Sequence, residues 1–322
     1  MLYQVKAGII GLDELGKEYA VLLKEHVKDL SLIGAAGRTQ KELLFAKNDL
    51  SLEYVYSDER SLIENHDIDA LCIFGNAQQR PHLAIQALEA GKHLFMADPI
   101  ALNVEDAEAV HKAGDSRPSQ VVVVSSQVRF DTLLNTVKKT IDNGDIGVIN
   151  HISLDSSFFK GMNRKYSKRS GSIFIDTALD EIDLCHWLLG DTFKEVEVYV
   201  INNTIKCEAT TSKGIIVSLI TQPTIQKEQS YINIYGNKGQ IIISNTNHRS
   251  FKIYKDGGEK IDVFREEYHG FIFPEYLQLH HFTQAILGKE KRKLKTKNAV
   301  ENIKLAIAFE KAKVLEKRVD LA

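Results

Sequence analysis

The chain has 322 residues, 43% hydrophobic and 26% charged, with a formal net charge of −2. That length holds one large or two medium domains, and the interspersed charge argues against a nucleic-acid partner held by a general positive field. No apolar run approaches the ~20 residues of a membrane span, no signal peptide precedes the first strand, and Cys72, Cys185 and Cys207 form no C-x-x-C pair, which together predict a cytoplasmic protein with reduced thiols and no membrane partner.

The first part alternates strands and helices. Val5–Ile10 is a continuous apolar run, as in a strand buried on both faces. Glu14–Glu25 follows as an amphipathic helix, Leu30–Ala36 as a second strand, and Thr39 caps a helix running to about Lys47. A short strand at Val55-Tyr56, a helix at Ser61–Asn65 and a strand at Ala70–Phe74 come next. Pro81–Ala90 is a helix stopped by Gly91, Leu94–Met96 a fifth strand, Val104–Lys112 a helix capped by Asn103, and Val121–Ser125 a sixth strand. This alternation predicts a parallel sheet with right-handed crossovers.

The pattern then changes. Asp131–Asp142 reads as a helix, Val148–Phe158 as a half-buried strand, and Ile173–Leu189 as one continuous helix carrying the single Trp. Seven strands follow between Lys194 and Phe264, joined by turns such as Gly236–Gly239 and Asp256-Gly257-Gly258. Helices at Pro274–Ile286 and Asn298–Glu316 close the chain. The predicted architecture is an α/β Rossmann domain over residues 1–124, followed by an α+β domain over 125–322 with a large, mostly antiparallel open sheet.

The turn after the first strand is the first chemical signal. A dinucleotide-binding turn wants Gly-x-Gly-x-x-Gly between a strand and a helix. Here Gly11, Leu12, Asp13 and Gly16 stand in that place, with aspartate at the middle glycine. These four are the candidate phosphate-contacting residues. A carboxylate ~5 Å from a phosphate, at an effective dielectric near 20, costs on the order of 3 kcal/mol, or about a hundredfold in affinity. The helix N-terminus still offers its donors.

Five strings together resemble the glucose–fructose oxidoreductase / inositol dehydrogenase (Gfo/Idh/MocA) family: Gly8–Gly16, Ala90-Gly91-Lys92-His93, Arg129-Phe130-Asp131, Asp142–Gly147 and Gly171–Gly190. The resemblance spans nearly the whole chain and is nearest the inositol dehydrogenases. It implies a dinucleotide cofactor, NADP or NAD, hydride transfer at a sugar or polyol carbon, and a homo-oligomer formed through the second sheet.

The resemblance also locates departures. The family ends its fifth strand with Glu-Lys-Pro, whose lysine meets nicotinamide and substrate hydroxyl; here the string is Ala97-Asp98-Pro99. An aspartate repels the alkoxide that a lysine stabilises. The family's general acid/base histidine falls at Asp180, between the retained Asp176 and Asp183. On one continuous helix Asp176 and Asp180 share a face, and their mutual repulsion raises one pKa, giving a candidate base. Asp98, Asp176 and Asp180 are therefore the candidate catalytic residues. Arg80 stands where the family has a histidine, with His82 two positions on, and Asn76 is a candidate contact to the cofactor. The second strand ends Ala35-Ala36-Gly37-Arg38-Thr39 without an acid, so Arg38 favours NADP over NAD.

Weaker features read as bulk structure. Lys160, Arg164, Lys165, Tyr166, Lys168 and Arg169 form a charged loop that either grips an anion or is solvated. Asp183 and His186 step around the helix from Asp176 and Asp180, which argues against a metal; His280-His281 reads as partly exposed helix surface, and Lys289–Lys297 as a basic loop without aromatic interleaving. Three functions remain open: an NAD(P)-dependent oxidoreductase with altered acid/base residues, a non-catalytic binding or regulatory protein on the same scaffold, and a lyase- or isomerase-like activity of the aspartate pair.

Overall fold

The computed structural model describes residues 4–159, 170, 172–202, 204–224, 229–244, 250–255, 260–265 and 273–321. The chain forms two compact units, Met1–Gln127 with Phe271–Ile303, and Val128–Gly270 with Lys304–Ala322. The chain passes from one unit to the other three times, where the sequence reading placed a single passage at 124/125.

The first unit holds strands β1 (Val5–Ile10), β2 (Leu30–Ala36), β3 (Tyr54–Tyr56), β4 (Ala70–Ile73), β5 (His93–Met96) and β6 (Val122–Val124). They pair in parallel in the order β3-β2-β1-β4-β5-β6, the doubly wound order whose direction reverses between β1 and β4. Its helices are α1 (Glu14–Glu25), α2 (Gln40–Leu44), which continues as a π-helical turn over Phe45–Asp49, α3 (Glu59–Glu64), α4 (Arg80–Glu89) and α5 (Val104–Asp115). Side-chain caps start most of them: Asp13 on α1, Thr39 on α2, Asp58 on α3 and Asn103 on α5. Each replaces a missing intrahelical partner of a first-turn N–H.

A late helix, Pro274–Ile286, belongs to this unit too. It is held by Phe282, whose ring lies 5.8 Å from that of Phe95, and by the fully buried Gln278. The Gln278 amide donates to the Tyr19 hydroxyl at 2.8 Å and accepts from Ser125 Oγ and Ser126 N at 3.0 Å each. Burying an amide is tolerated because its groups are paired. His281 is buried rather than partly exposed: Nδ1 meets Glu290 at 2.7 Å and Nε2 accepts from Lys293 N. His280 is half-buried and stacks on Tyr276.

The second unit begins with α6 (Thr132–Asp142), capped by Asp131, and strand β7 (Ile149–Phe159). Two helices follow, α7 (Ile173–Thr177) and α8 (Leu179–Leu189). Strands β8 (Phe193–Ile201), β9 (Thr204–Thr211), β10 (Ile216–Thr224), β11 (Gln229–Gly236), β12 (Gly239–Ser244), β13 (Ser250–Lys255) and β14 (Lys260–Arg265) precede α9, the Pro274–Ile286 helix, and α10 (Thr296–Leu315). The two-residue β15 (Val319–Asp320), which the sequence reading lacks, pairs with the edge of β8. The sheet order is β14-β13-β12-β11-β7-β10-β9-β8-β15, with β7 and β10 parallel and the other described pairs antiparallel. Ile152, Leu154, Val217, Leu219 and Ile234 are buried, whereas Ile216, Tyr231 and Tyr235 are exposed. The fold class expected from the sequence is the one observed.

One correction matters for chemistry. Ile173–Leu189 is not one helix: Ala178, at φ −125° and ψ 2°, separates α7 from α8. Asp176 and Asp180 therefore fall on different helices, and the one-turn spacing that placed them on a common face does not hold. The Asp256-Gly257-Gly258 turn lies outside the described residues. Among the described residues, no helix is long and apolar enough to cross a membrane, and all three cysteines are buried and free.

Candidate functional site

The reversal of strand order brings the turn after β1 against the turn after β4. Gly11 has φ +83°, and a Cβ there would lie 2.8 Å from both Phe74 C and Gly75 N. Only glycine permits that conformation and approach. A Cβ on Gly16 would lie 2.0 Å from Gly11 O, so residue 16 is glycine because α1 packs directly on the turn. Leu12 is buried, leaving only its backbone for a ligand. These features fit the backbone cradle of a dinucleotide.

Asp13 needs no glycine. Its φ of −65° and ψ of −174° are ordinary extended backbone, and its carboxylate accepts from Gly16 N at 2.9 Å as the cap of α1. The middle position of the turn thus carries an anion bonded to a first-turn donor of the helix.

Asn76 is exposed, and its side-chain oxygen accepts from Gln78 N at 3.0 Å, closing the turn into α4. Arg80 opens that helix and is buried. Its guanidinium donates to Gly75 O at 2.9 Å, Ala97 O at 3.1 Å and Pro99 O at 2.6 Å. It therefore ties the chain after β4 to the chain after β5. Burial lowers the Arg80 pKa to about 10, and the charges of Asp98 and Asp13 act in the opposite direction. Asp98 is half-buried beside this cation, so the acid at 98 and the arginine at 80 are electrostatic partners.

At the end of β2, Arg38 is exposed and its Nε donates to Glu59 at 2.7 Å. Acids also reach this place through space. Glu42 Oε2 accepts from Arg38 N at 2.7 Å and Thr39 N at 3.0 Å, completing a capping box. Thr39-x-x-Glu42 is the sequence signature of that box, so this carboxylate was there to be found.

In the second unit, Asp183 is buried in a two-pronged pair with Arg129, Nε to Oδ2 at 2.9 Å and Nη2 to Oδ1 at 2.7 Å. This joins two of the strings that carry the family resemblance. His186 packs edge-on against Phe193 at 4.8 Å. Among the described residues no cluster of three or more His, Cys, Asp or Glu side chains could hold a metal.

Asp180 lies in the first turn of α8 and is exposed, yet its carboxyl is pushed up to about 6, first by desolvation and then by the charge of Asp183. The expected repulsion from Asp176 is not among the causes; Asp183 supplies it. Glu181, which the sequence reading passed over, is half-buried and pushed up to about 7 by desolvation and then by Asp180. Nothing in the residue spacing marked it. Asp176 is half-buried on α7. Lys160, Arg164, Lys165, Tyr166, Lys168 and Arg169 lie outside the described residues.

Two family models match the chain: the oxidoreductase family's NAD-binding Rossmann fold over residues 5–125 and its C-terminal alpha/beta domain over residues 138–321. The chain belongs to the Gfo/Idh/MocA oxidoreductase family. A myo-inositol 2-dehydrogenase of Thermotoga maritima is 22% identical over 270 residues, covering 80% of each chain. A scyllo-inositol 2-dehydrogenase (NAD(+)) of Bacillus subtilis is 24% identical over 330 residues, covering 96% of this chain and 94% of that one. A solved Lactobacillus casei scyllo-inositol dehydrogenase with bound NAD(H) and scyllo-inositol superposes with a TM-score of 0.85 at 23% identity, over 98% of this chain and 99% of that one. The resemblance read from the five strings is thereby borne out, and the first unit carries the Gfo/Idh/MocA NAD-binding Rossmann fold.

Proposed function

We propose that this chain is an NAD-dependent dehydrogenase of a polyol or cyclic sugar alcohol, with Asp180 as the proton acceptor. The observation that carries this reading is the place of Asp180, exposed in the first turn of α8, one turn before the buried Asp183 that Arg129 holds; desolvation and the Asp183 charge push its carboxyl up to about 6. A carboxylate with that affinity is largely deprotonated at neutral pH yet still able to take a proton, the compromise general-base catalysis wants. The names of the Thermotoga maritima and Bacillus subtilis relatives support the polyol class.

The nicotinamide, when bound, supplies the hydride acceptor for the carbinol carbon. The chain's residues do the rest. Asp180 takes the hydroxyl proton as the C–O bond becomes a carbonyl, and Asp183, held by Arg129, keeps negative charge behind it. In this proposal Asp176 accepts a hydrogen bond from another hydroxyl of the polyol, and Asp98, beside Arg80, is the candidate acid of the first unit. Gly11, Leu12 and Gly16 present backbone to the pyrophosphate, with Asn76 at the neighbouring turn. We take NAD rather than NADP as the cofactor, because Arg38 is paired with Glu59 and Glu42 adds a second carboxylate there. A 2′-phosphate would meet two acids for one engaged arginine. We further propose self-association through the sheet face that exposes Ile216, Tyr231 and Tyr235, and a cytoplasmic location for the free, buried cysteines.

Calorimetric titration with NADH and NADPH tests the first step, followed by a screen of inositols and other polyols for reduced-nicotinamide absorbance. Tighter NADH than NADPH binding and turnover of a polyol are expected. Absence of binding at millimolar concentration would leave the second reading, a non-catalytic ligand-binding protein, which the capping of α1 by Asp13 favours.

A further inference from the structure

We propose that Asp13 is a resident anion of the nucleotide turn: its carboxylate occupies the α1 terminus in place of the pyrophosphate and must yield before a dinucleotide seats. The inference rests on the dehydrogenase reading above and deepens it by naming the residue that sets cofactor affinity.

Three observations carry it. First, the rest of the cradle is built for close approach. Gly11 sits at φ +83° against Gly75, and Gly16 has no room for a Cβ because Gly11 O would lie 2.0 Å away. That packing fixes both glycines, so the backbone of the cradle stays formed whatever residue stands at 13. Second, the backbone of residue 13 does not explain the aspartate as a conformational necessity, since its φ of −65° suits any residue. What the aspartate contributes is its carboxylate, placed 2.9 Å from Gly16 N. That N–H belongs to the set a helix N-terminus turns toward a bound phosphate, and the macrodipole that attracts pyrophosphate attracts this carboxylate too. Third, the carboxylate has a nearby counter-charge in Arg80, whose guanidinium is fixed by three carbonyl oxygens.

The consequence differs from simple repulsion. A repelled aspartate would turn away and leave the N–H groups free. A bonded one withdraws a donor and adds charge at the same point, so cofactor binding includes breaking the cap. Removing the charge is expected to tighten dinucleotide binding by about ten- to a hundredfold, although the variant loses nothing else in the cradle.

The test compares the full chain with Asp13→Asn and Asp13→Ala by NADH titration and thermal unfolding. Asparagine keeps an acceptor for Gly16 N and loses the charge, so it should bind NADH at least tenfold more tightly at an unchanged thermal midpoint. Alanine also loses the cap, so it should bind more tightly while its midpoint falls by roughly 2–4 °C. Equal and measurable affinities in all three proteins would overturn the inference and leave the dehydrogenase reading standing. Weaker binding by the variants would overturn it too, making Asp13 a support of the turn. No binding by any of the three would overturn both, because the barrier would then not be Asp13.

Discussion

Of the three places where the chain has an aspartate and the resemblance leads one to expect another residue, Asp13 and Asp180 have opposite consequences. At the turn after β1, Asp13 meets a helix start with an open N–H and is drawn into the backbone, where it accepts from Gly16. At the start of α8, Asp180 has its environment tilted toward the neutral form by desolvation and by Asp183. The same side chain caps a helix in one place and, in the proposed mechanism, takes a proton in the other. Local donors and neighbouring charge decide which, not residue type.

The largest expected effect separates the two roles directly. Asp180→Asn should lower kcat for polyol oxidation by about 10²- to 10⁴-fold while leaving the NADH dissociation constant unchanged, as read by steady-state kinetics beside calorimetry. The same variant has a stability signature. Because the folded pKa of Asp180 is raised from 3.8 to about 6, the folded state holds the proton more tightly than the unfolded one. Its contribution therefore declines as pH rises through that window. Denaturant midpoints measured across that range should fall with pH more steeply in the wild type than in Asp180→Asn.

Arg129→Ala attacks the charge behind Asp180. Breaking this nearly buried pair removes the arginine's positive charge from Asp183 and should cost about 3–5 kcal/mol in urea unfolding. If the variant folds, the acid limb of its pH–rate profile should move to higher pH, because Asp183 without the arginine's charge disfavours ionised Asp180 more strongly. An unmoved limb would break the link between the two acids.

A smaller effect sharpens the other side of the comparison. Asp13 and Asp131 are alike as caps, each accepting from the third following N–H at 2.9 Å. Alanine at either should cost about 1 kcal/mol in stability, but only the change at 13 should alter NADH affinity. The smallest effect is at Arg38. Its pair with Glu59 is exposed and worth about 0–1 kcal/mol, so Arg38→Ala should barely change unfolding and should leave the ratio of NADH to NADPH affinity unchanged.

Much of the fold was legible in the sequence, since Glu14–Glu25, Leu30–Ala36 and Pro274–Ile286 are observed with the boundaries their patterns predict. Those segments have caps, continuous apolar runs or an opening proline. The break at Ala178 was not legible. The run from Ile173 to Leu189 contains neither glycine nor proline, and its apolar spacing continues through the break, so tertiary packing overrides local pattern there. At the site, the unusual residues were legible as substitutions, but their partners were not. Arg80 lies 17 and 19 residues from the carbonyls of Ala97 and Pro99 that it bonds, and Arg129 lies 54 residues from Asp183. The assignment of Arg38 to a 2′-phosphate overlooked Glu59, 21 residues away, for the same reason. Proton affinity followed this rule as well: the raised pKa at Asp180 was expected, but from Asp176 rather than from desolvation and Asp183.

The central claim is that Asp180 is the proton acceptor of an NAD-dependent polyol oxidation. The pH dependence of kcat at saturating NAD and polyol, measured for the wild type and Asp180→Asn, tests it most directly. The account predicts a wild-type rate that rises through an apparent pKa near 6 and then levels, with that limb lost and the plateau depressed in the variant. A variant that retains both the limb and the wild-type plateau would contradict it.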